Sequence, residues 1–504
     1  MSHLLLTGFT HMIEPLNILL MFFGVSLGIL FGAIPGLTSC IAIALCLPLT
    51  YTMSSYSAFA LLIALFVGGI SGGLISAVLI NIPGTPASVA TTFDGAPLAK
   101  KGLASKALGV GIVFSFLGTV FSCVILIFLA PSLAKFALRF SAYEYFSITL
   151  FSLSLIGVLS GKNMVKGIIA GLIGLAASTI GMSPIDGLRR FTFGVGALRT
   201  GFSSIPAMVG LFAISEIISA AMDSSEATIQ DYRPGAIRGF GFSLKEFFSQ
   251  IKNFFVSAFI GTFIGILPGI GATTSNIMAY ATVKNMSKYP DKFGTGVIDG
   301  VVASETSNNA VIGGAMVPLI ALGIPGDANT AMLLGALMIH GLTPGPALIR
   351  NNGDLVYSIF VAVLICSLIM LFVEFFGMRL FVHTLRIPKY ILLPMVMILC
   401  CVGALSFSGR MFDVYTLIGF GLLGFVLSQF GFPRAPFVLG MILGTDLETN
   451  LRQALQLGKN SLLPFFTRPI SGLFLVITIA IIANVAFKQF KARNGAVVVD
   501  EEND

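Results

Sequence analysis

Long uncharged apolar runs recur along the whole chain, and they decide what it can fold into. Leu16–Ile34, Ser57–Ile82, Gly109–Ala130, Tyr145–Leu159, Gly167–Met182 and Ile205–Met222 fill the first part. Phe254–Leu267, Leu355–Phe376, Ile391–Phe407, Val414–Phe430 and Leu473–Phe487 fill much of the second. A bilayer crossing takes roughly 17–25 mostly apolar residues, fewer where a broken helix is buried in protein. Soluble domains are about one-quarter charged, whereas this chain is 56% apolar and 10% charged. The pattern predicts an all-α polytopic membrane protein of about ten to twelve transmembrane or re-entrant helices. The first run reads as a retained span, because Glu14 and Pro15 precede it and no basic segment leads it. The longest polar stretch, Asp223–Asn253, is too short for an inserted soluble catalytic domain.

The net charge is +7, and its basic residues cluster in short loops, among them Lys100/Lys101/Lys106, Arg189/Arg190/Arg199, Lys284/Lys288/Lys292 and Lys488/Lys491/Arg493. That is the signature of positive-inside topology. A nucleic-acid partner is not expected, since no basic patch interleaves with aromatics in a soluble segment. The last cluster predicts a cytoplasmic C-terminus. The six cysteines all sit in apolar runs without a Cys-x-x-Cys pair and read as small core residues.

One pattern occurs twice. Gly28-Ile-Leu-Phe-Gly32-Ala-Ile-Pro35-Gly36 matches Gly261-Thr-Phe-Ile-Gly265-Ile-Leu-Pro268-Gly269 in every Gly and Pro, an offset of 233 positions from Pro35 to Pro268. Asn81-Ile-Pro83-Gly84-Thr85-Pro86 matches Gly323-Ile-Pro325-Gly326-Asp327-Ala328, an offset of 242 from Pro83 to Pro325. The polar loop Lys284–Lys292 accounts for the difference. Between the copies, Ser243-Leu-Lys-Glu246 reads as a capping box opening an amphipathic helix with Phe247, Phe248, Ile251, Phe254 and Phe255. The chain therefore divides into a membrane repeat at 1–224, a connecting loop at 225–242, and a second repeat at 243–504 that ends in a short cytoplasmic tail. The halves read as inverted repeats; an even number of spans before residue 243 would make them parallel.

Breaking a membrane helix strands backbone groups, each at a cost of several kcal/mol in hydrocarbon. Pro-Gly does this twice per half. The compensating use is a binding site, in which helix N-termini face an anion and freed carbonyls face a cation. The residues after each break suit that use. Gly36, Thr38, Ser39, Asn81, Gly84, Thr85, Ser88, Gly269, Thr273, Thr274, Ser275 and Asn276 are the expected substrate-binding set. Ser304, Glu305, Ser307, Asn308, Asn309, Gly326 and Asp327 are the expected cation-binding set, since polar clusters in membrane segments are costly unless they serve water, ion or substrate. Plainer readings stand beside these. Thr85 and Asp327 also read as helix caps, and Glu305 as the partner of an interfacial Lys. Gly28, Gly32, Gly261 and Gly265 read as tight helix packing. Asp94 reads as a turn residue, and Glu144, Glu216 and Glu374 as interfacial ion pairs. His340 reads as a hydrogen-bonded structural residue.

No His-x-x-x-His, Gly-x-Ser-x-Gly or phosphate-binding Walker sequence is present, so neither ATP hydrolysis nor another enzymatic activity is expected. The four break motifs also lack Arg and Lys, so amides, hydroxyls and a co-bound cation would have to hold an anion.

These motifs closely resemble the large membrane subunit of the tripartite tricarboxylate transporters. The likeness rests on Gly32–Gly36, Asn81–Ser88 with Phe93–Gly102, Leu267–Ala272, Ser304–Ala310, Gly323–Asp327 and His340–Pro346. It implies a multi-pass protein of the bacterial inner membrane, served by a periplasmic solute-binding protein and a small membrane subunit. It also implies uptake of carboxylates such as citrate, driven by a Na+ or H+ gradient, with no resident cofactor or metal beyond co-transported Na+. The reading is thus cation-coupled carboxylate symport by alternating access, with an uncoupled channel for small anions as the alternative.

Overall fold

Proline, glycine and capping residues punctuate the apolar runs into helices. The computed structural model describes residues 2–159, 164–222, 240–384 and 389–501. Its first part comprises α1 (Ser2–Met12), α2 (Pro15–Ala33), α3 (Ser39–Cys46), α4 (Ser55–Leu79), α5 (Val89–Leu98), α6 (Ala104–Ala137), α7 (Ala142–Leu159), α8 (Met164–Ser178), α9 (Ser204–Val209) and α10 (Ser215–Met222). The second comprises α11 (Leu244–Ser249), α12 (Ile251–Ile266), α13 (Gly271–Met286), α14 (Ile298–Leu322), α15 (Ala328–Ile339), α16 (Pro346–Asn351), α17 (Gly353–Thr384), α18 (Lys389–Ser408), α19 (Met411–Gln429), α20 (Arg434–Leu457), α21 (Leu463–Thr467) and α22 (Pro469–Glu501). Two-residue strands, β1 (Gly181–Met182) and β2 (Arg189–Arg190), pair antiparallel. Among the described residues six helices are long and apolar enough to cross a membrane, and shorter apolar helices such as Ile251–Ile266 and Ala328–Ile339 accompany them. The chain is an all-α polytopic membrane protein, as its hydropathy predicts.

The chain folds as two compact units. One holds Met1–Leu138 and Ile205–Phe425, the other Arg139–Ser204 and Val426–Asp504. Each draws on sequence from both sides of the connecting loop assigned to 225–242, of which 225–239 lie outside the described residues.

In the first unit, helix pairs pack backbone to backbone. A Cβ at Gly28 would lie 2.7 Å from the Leu65 carbonyl oxygen, and one at Gly32 would lie 2.3 Å from that of Gly69. Gly24 likewise faces Leu61, so α2 and α4 run side by side in the same direction. Gly261 meets Ser307 at 2.3 Å and Gly265 meets Val311 at 2.8 Å, which places α12 along α14 in the same sense. The small-residue spacing is therefore a packing device. Gly73 faces Ser88 and Val78 faces Gly95, so α5 runs with α4. Along α14, Val297, Ser304 and Val311 meet Asp94, Thr91 and Ala87 in turn, so α5 runs against α14.

The capping box at the start of the second half forms as its sequence predicts. Ser243 Oγ accepts from the Glu246 amide at 3.2 Å, and Glu246 Oε2 accepts from the Ser243 amide at 2.8 Å. Lys106 also donates to Glu246, and chiefly through that bond it holds the Glu246 carboxyl down to about 2. A depressed carboxyl stabilises the fold above its unfolded value of about 4.3, and the contribution fades as pH falls toward the folded value. The contact of α11 with α6 should therefore survive mild acid and loosen between about pH 4.3 and 2. Ser243→Ala is expected to lower stability by about 1 kcal/mol while sparing transport. Thermal unfolding in detergent, read beside uptake, checks both.

In the second unit, α7 and α8 pack with α20, and α7 also with α22. Glu144 Oε1 accepts from Arg468 Nε at 2.6 Å, and the Arg468 guanidinium lies over the Tyr143 ring at 5.4 Å. The ion pair expected for Glu144 is thus present. Arg190 reaches Glu448 at 2.7 Å, and Arg452 bridges Asp186 and Glu448 at 2.5 and 2.8 Å.

Candidate functional site at the four helix breaks

Each break is made by backbone that only glycine or a turn residue adopts readily. Gly36, Gly269 and Gly323 have φ of 90°, 79° and 76°, and Asn81 has φ of 58°. Asn81 is an exposed turn residue, where Asn tolerates the left-handed conformation.

The breaks converge in the first unit. Within the first half, Gly84 sits against the Gly32 carbonyl so closely that a Cβ would lie 2.1 Å from it. Within the second, the Gly269 amide donates to the Gly326 carbonyl at 2.7 Å. Across the halves, Ser39 Oγ donates to Asn329 Oδ1 at 2.8 Å. The Ala90 amide donates to Asn276 Oδ1 at 2.7 Å, and Ala87 packs with Ala272, Val311 and Ala315. Every break therefore touches its neighbour in its own half and one in the other.

The expected substrate residues are gathered here with different duties. Thr38 caps α3 by accepting from the Ile41 amide at 3.4 Å. Ser275 and Asn276 donate to the Ser307 and Ser304 carbonyls at 3.3 and 3.2 Å, clamping α13 to α14. Thr273 and Thr274 are half-buried, and the Thr274 hydroxyl turns back to the Ile270 carbonyl at 3.5 Å. Thr85 stands at the cap position before Pro86, yet its hydroxyl is buried with no hydrogen-bond partner. Ser88 closes that turn instead, donating to the Thr85 carbonyl at 2.9 Å. A Cβ at Gly73 would lie 2.9 Å from Thr85 Oγ1, so the missing side chain there seats the hydroxyl.

The expected cation residues separate into three places. Ser304–Asn309 are all fully buried. Glu305 faces α5 and α6: its Oε1 accepts from Thr91 Oγ1 at 2.5 Å and its Oε2 from Ser115 Oγ at 3.0 Å. Asn309 donates to Ser115 Oγ at 2.8 Å. No Lys or Arg pairs with Glu305 among the described residues, which overturns the interfacial-lysine reading. Asn308 lies on the face of α14 that continues through Val311 and Ala315 toward the break segments, since i+3 and i+7 share a helix face. Both polar atoms of its amide are buried and unpartnered. Asp327 is a true cap, its Oδ1 accepting from the Thr330 amide at 2.8 Å and its Oδ2 from Asn329 at 3.3 Å.

Two carboxylates depart from their sequence readings. Asp94 is no turn residue. It is fully buried in α5 and accepts from the amides of Gly294, Gly296 and Val297 at 3.0, 2.7 and 2.9 Å, and from the Tyr280 hydroxyl at 2.8 Å. Glu374 makes no ion pair among the described residues. It is fully buried in α17, with Ser71 as its hydrogen-bond partner at 2.6 Å. The sequence also passes over Thr91, Ser115, Ser71 and Asn329. Of these only Asn329 carries a signal, as a polar residue two positions beyond Asp327 at the head of an apolar run.

Broken helices whose tips meet around buried polar groups define a membrane protein of the transporter class. The Tripartite tricarboxylate transporter TctA family matches residues 18–439. The chain belongs to that family and is a membrane subunit of a tripartite transporter. An "uncharacterized 52.8 kDa protein in TAR-I ttuC' 3'region" of Agrobacterium vitis is 33% identical over 497 residues, covering 98% of each chain. A second protein of that organism, from the "TAR-II ttuC' 3'region", is 33% identical over 242 residues, which are 48% of this chain and 100% of the relative. No solved structure matches.

Proposed function

We propose that this chain is the large membrane subunit that carries a carboxylate, citrate or a related organic acid, into the cell by symport with a cation. A periplasmic solute-binding protein delivers the substrate, a small membrane subunit completes the assembly, and the site of action is the bacterial inner membrane. The observation that carries the reading is the meeting of four breaks around buried polar atoms with unspent hydrogen-bonding capacity. Thr85 Oγ1 and both amide atoms of Asn308 are such atoms, and an unmet buried polar group costs about 1–3 kcal/mol. Hydroxyl, amide and helix N-terminal groups are the chemistry that a carboxylate accepts from. Family membership supports the partner subunits.

The two halves act as inverted repeats. In support, α4 runs with α5 while α14 runs against it, and each of these long helices lies alongside the first broken helix of its own half. Alternating access then moves one part of the repeat pair against the rest.

The test is uptake of labelled citrate by cells making the whole transporter and its binding protein. Thr85→Ala and Asn308→Ala are expected to lower uptake about tenfold or more at normal membrane levels, the loss of one or two buried hydrogen bonds to a charged ligand. Normal uptake in both variants would remove the break tips as the substrate site. Saturating uptake that collapses with the cation gradient separates a symporter from a channel.

A further inference from the structure

Glu374 belongs to none of the four breaks, and among the described residues Ser71 is its one hydrogen-bond partner. It is the twenty-second residue of α17, fully buried, and its Oε2 accepts from Ser71 Oγ on α4. Its Oε1 is buried with no partner. Neither α2 nor α4 contains a Lys, Arg, His, Asp or Glu. On α6, Lys106 lies near this end, one turn before Gly109, which touches the same Phe240 that Phe375 packs on; Lys106 is committed to Glu246. The histidines of α1, the Arg350 of α16, and Asp354 and Tyr357 belong to the opposite end, where Leu4 and Gly8 meet Gly353 and Tyr357. Glu305, a second buried carboxyl, adds a like charge that acts on Glu374.

An ionised carboxylate here would be buried with one hydroxyl and a like charge, which protein interiors in a membrane do not tolerate. A metal cation would need several oxygen ligands, and one serine beside the carboxyl does not supply them. A proton needs a single oxygen. Protonated at Oε2, Glu374 donates to Ser71 Oγ, and the serine turns its own proton to the carbonyl one helical turn back, a bond open to helical serines.

We infer that Glu374 is a proton-carrying site of this transporter, distinct from the substrate site at the breaks and paired with Ser71. The inference rests on the transport reading above. The proton enters from the outer aqueous phase, stays on the carboxyl while that carboxyl is buried, and leaves to the inner phase when movement of the repeats opens the Ser71 contact. No bond other than O–H forms or breaks.

The experiment uses the complete transporter in vesicles with two readouts, exchange of labelled citrate across the membrane at equal pH and accumulation driven by an imposed pH gradient. Glu374→Gln keeps the size and the Ser71 contact but cannot cycle a proton. Exchange is expected to stay within about twofold of the unaltered protein, while gradient-driven accumulation falls about tenfold or more, as for loss of an intramembrane proton-carrying carboxyl. A variant that still accumulates citrate in response to the pH gradient overturns the assignment of Glu374. Absence of citrate exchange by the unaltered protein overturns the carboxylate reading and this inference with it. If Glu374→Gln does not reach the membrane, Ser71→Ala serves, and the pH midpoint of uptake is expected to move by at least about half a unit, since its lost hydrogen bond differs between the two protonation states. An unmoved midpoint counts against the site.

Discussion

A leucine at Gly68 is expected to leave no folded transporter in the membrane. The Cβ of any side chain there would lie 2.3 Å from the Val25 carbonyl oxygen and 3.0 Å from its Cα. Those atoms belong to the backbone of α2, so they cannot turn aside as a side chain would. Even one extra methyl in a close-packed interior costs about 1–3 kcal/mol, and leucine adds three more carbons against a total stability of about 5–15 kcal/mol. Gly68→Ala should retain a folded fraction with a lowered thermal midpoint. Gly419 provides the contrast: it lies in α19 with nothing within 4 Å of an added Cβ. Gly419→Ala should change stability by no more than about 1 kcal/mol, in the favourable direction of helix propensity. Chromatography of detergent extracts followed by thermal unfolding separates the three. A normally folded Gly68→Leu would show that α2 and α4 are not in backbone contact.

The second large effect is expected at Asp94. Its carboxylate satisfies three backbone amides and one phenol at the entry to α14. Gly294 and Gly296 hold φ of 88° and 98°, which turns those amides toward one oxygen. Asp94→Ala strands all four donors, each costing about 1–3 kcal/mol when buried, for a sum on the order of 5 kcal/mol. Asp94→Asn keeps an oxygen for the amides and should lose much less, while Tyr280→Phe removes one donor and should cost about 1 kcal/mol. The order Ala, then Asn, then Phe in falling severity is the readout of unfolding in detergent. Equal losses in the first two would mean that charge, and not hydrogen bonding, holds the loop.

Local chemistry made much of this readable in advance. The apolar runs announce a polytopic helical protein, Pro-Gly marks every break, and Ser243 with Glu246 marks the start of α11. The glycine spacing of 28/32 and 261/265 reads correctly as backbone packing. What escaped notice depends on contacts between distant parts of the chain. Ser115 meets Glu305 across 190 positions, and Ser71 meets Glu374 across 303. A single serine in an apolar run has no period and no neighbouring signal, so nothing local foretells such a partner. Asp94 and Glu374 differ from their sequence readings for a related reason. A carboxylate followed by Gly resembles a turn, and one near a helix end resembles an interfacial charge, until the fold surrounds it. The convergence of the break residues was legible in the sequence, but their hydrogen-bonding duties were not. Asp327 is spent on capping and the Asn309 nitrogen on Ser115, whereas Thr85, Asn308 and the Asn309 oxygen keep their capacity.

The interleaving of the compact units sets a condition on biosynthesis. The unit that contains the breaks needs residues up to Phe425, and the other needs the stretch from Val426 onward. While the ribosome is still delivering the second half, Ser71, Thr91 and Ser115 are already in the membrane without the glutamates they later bind. Until then those hydroxyls have only the backbone of their own helices to bond to.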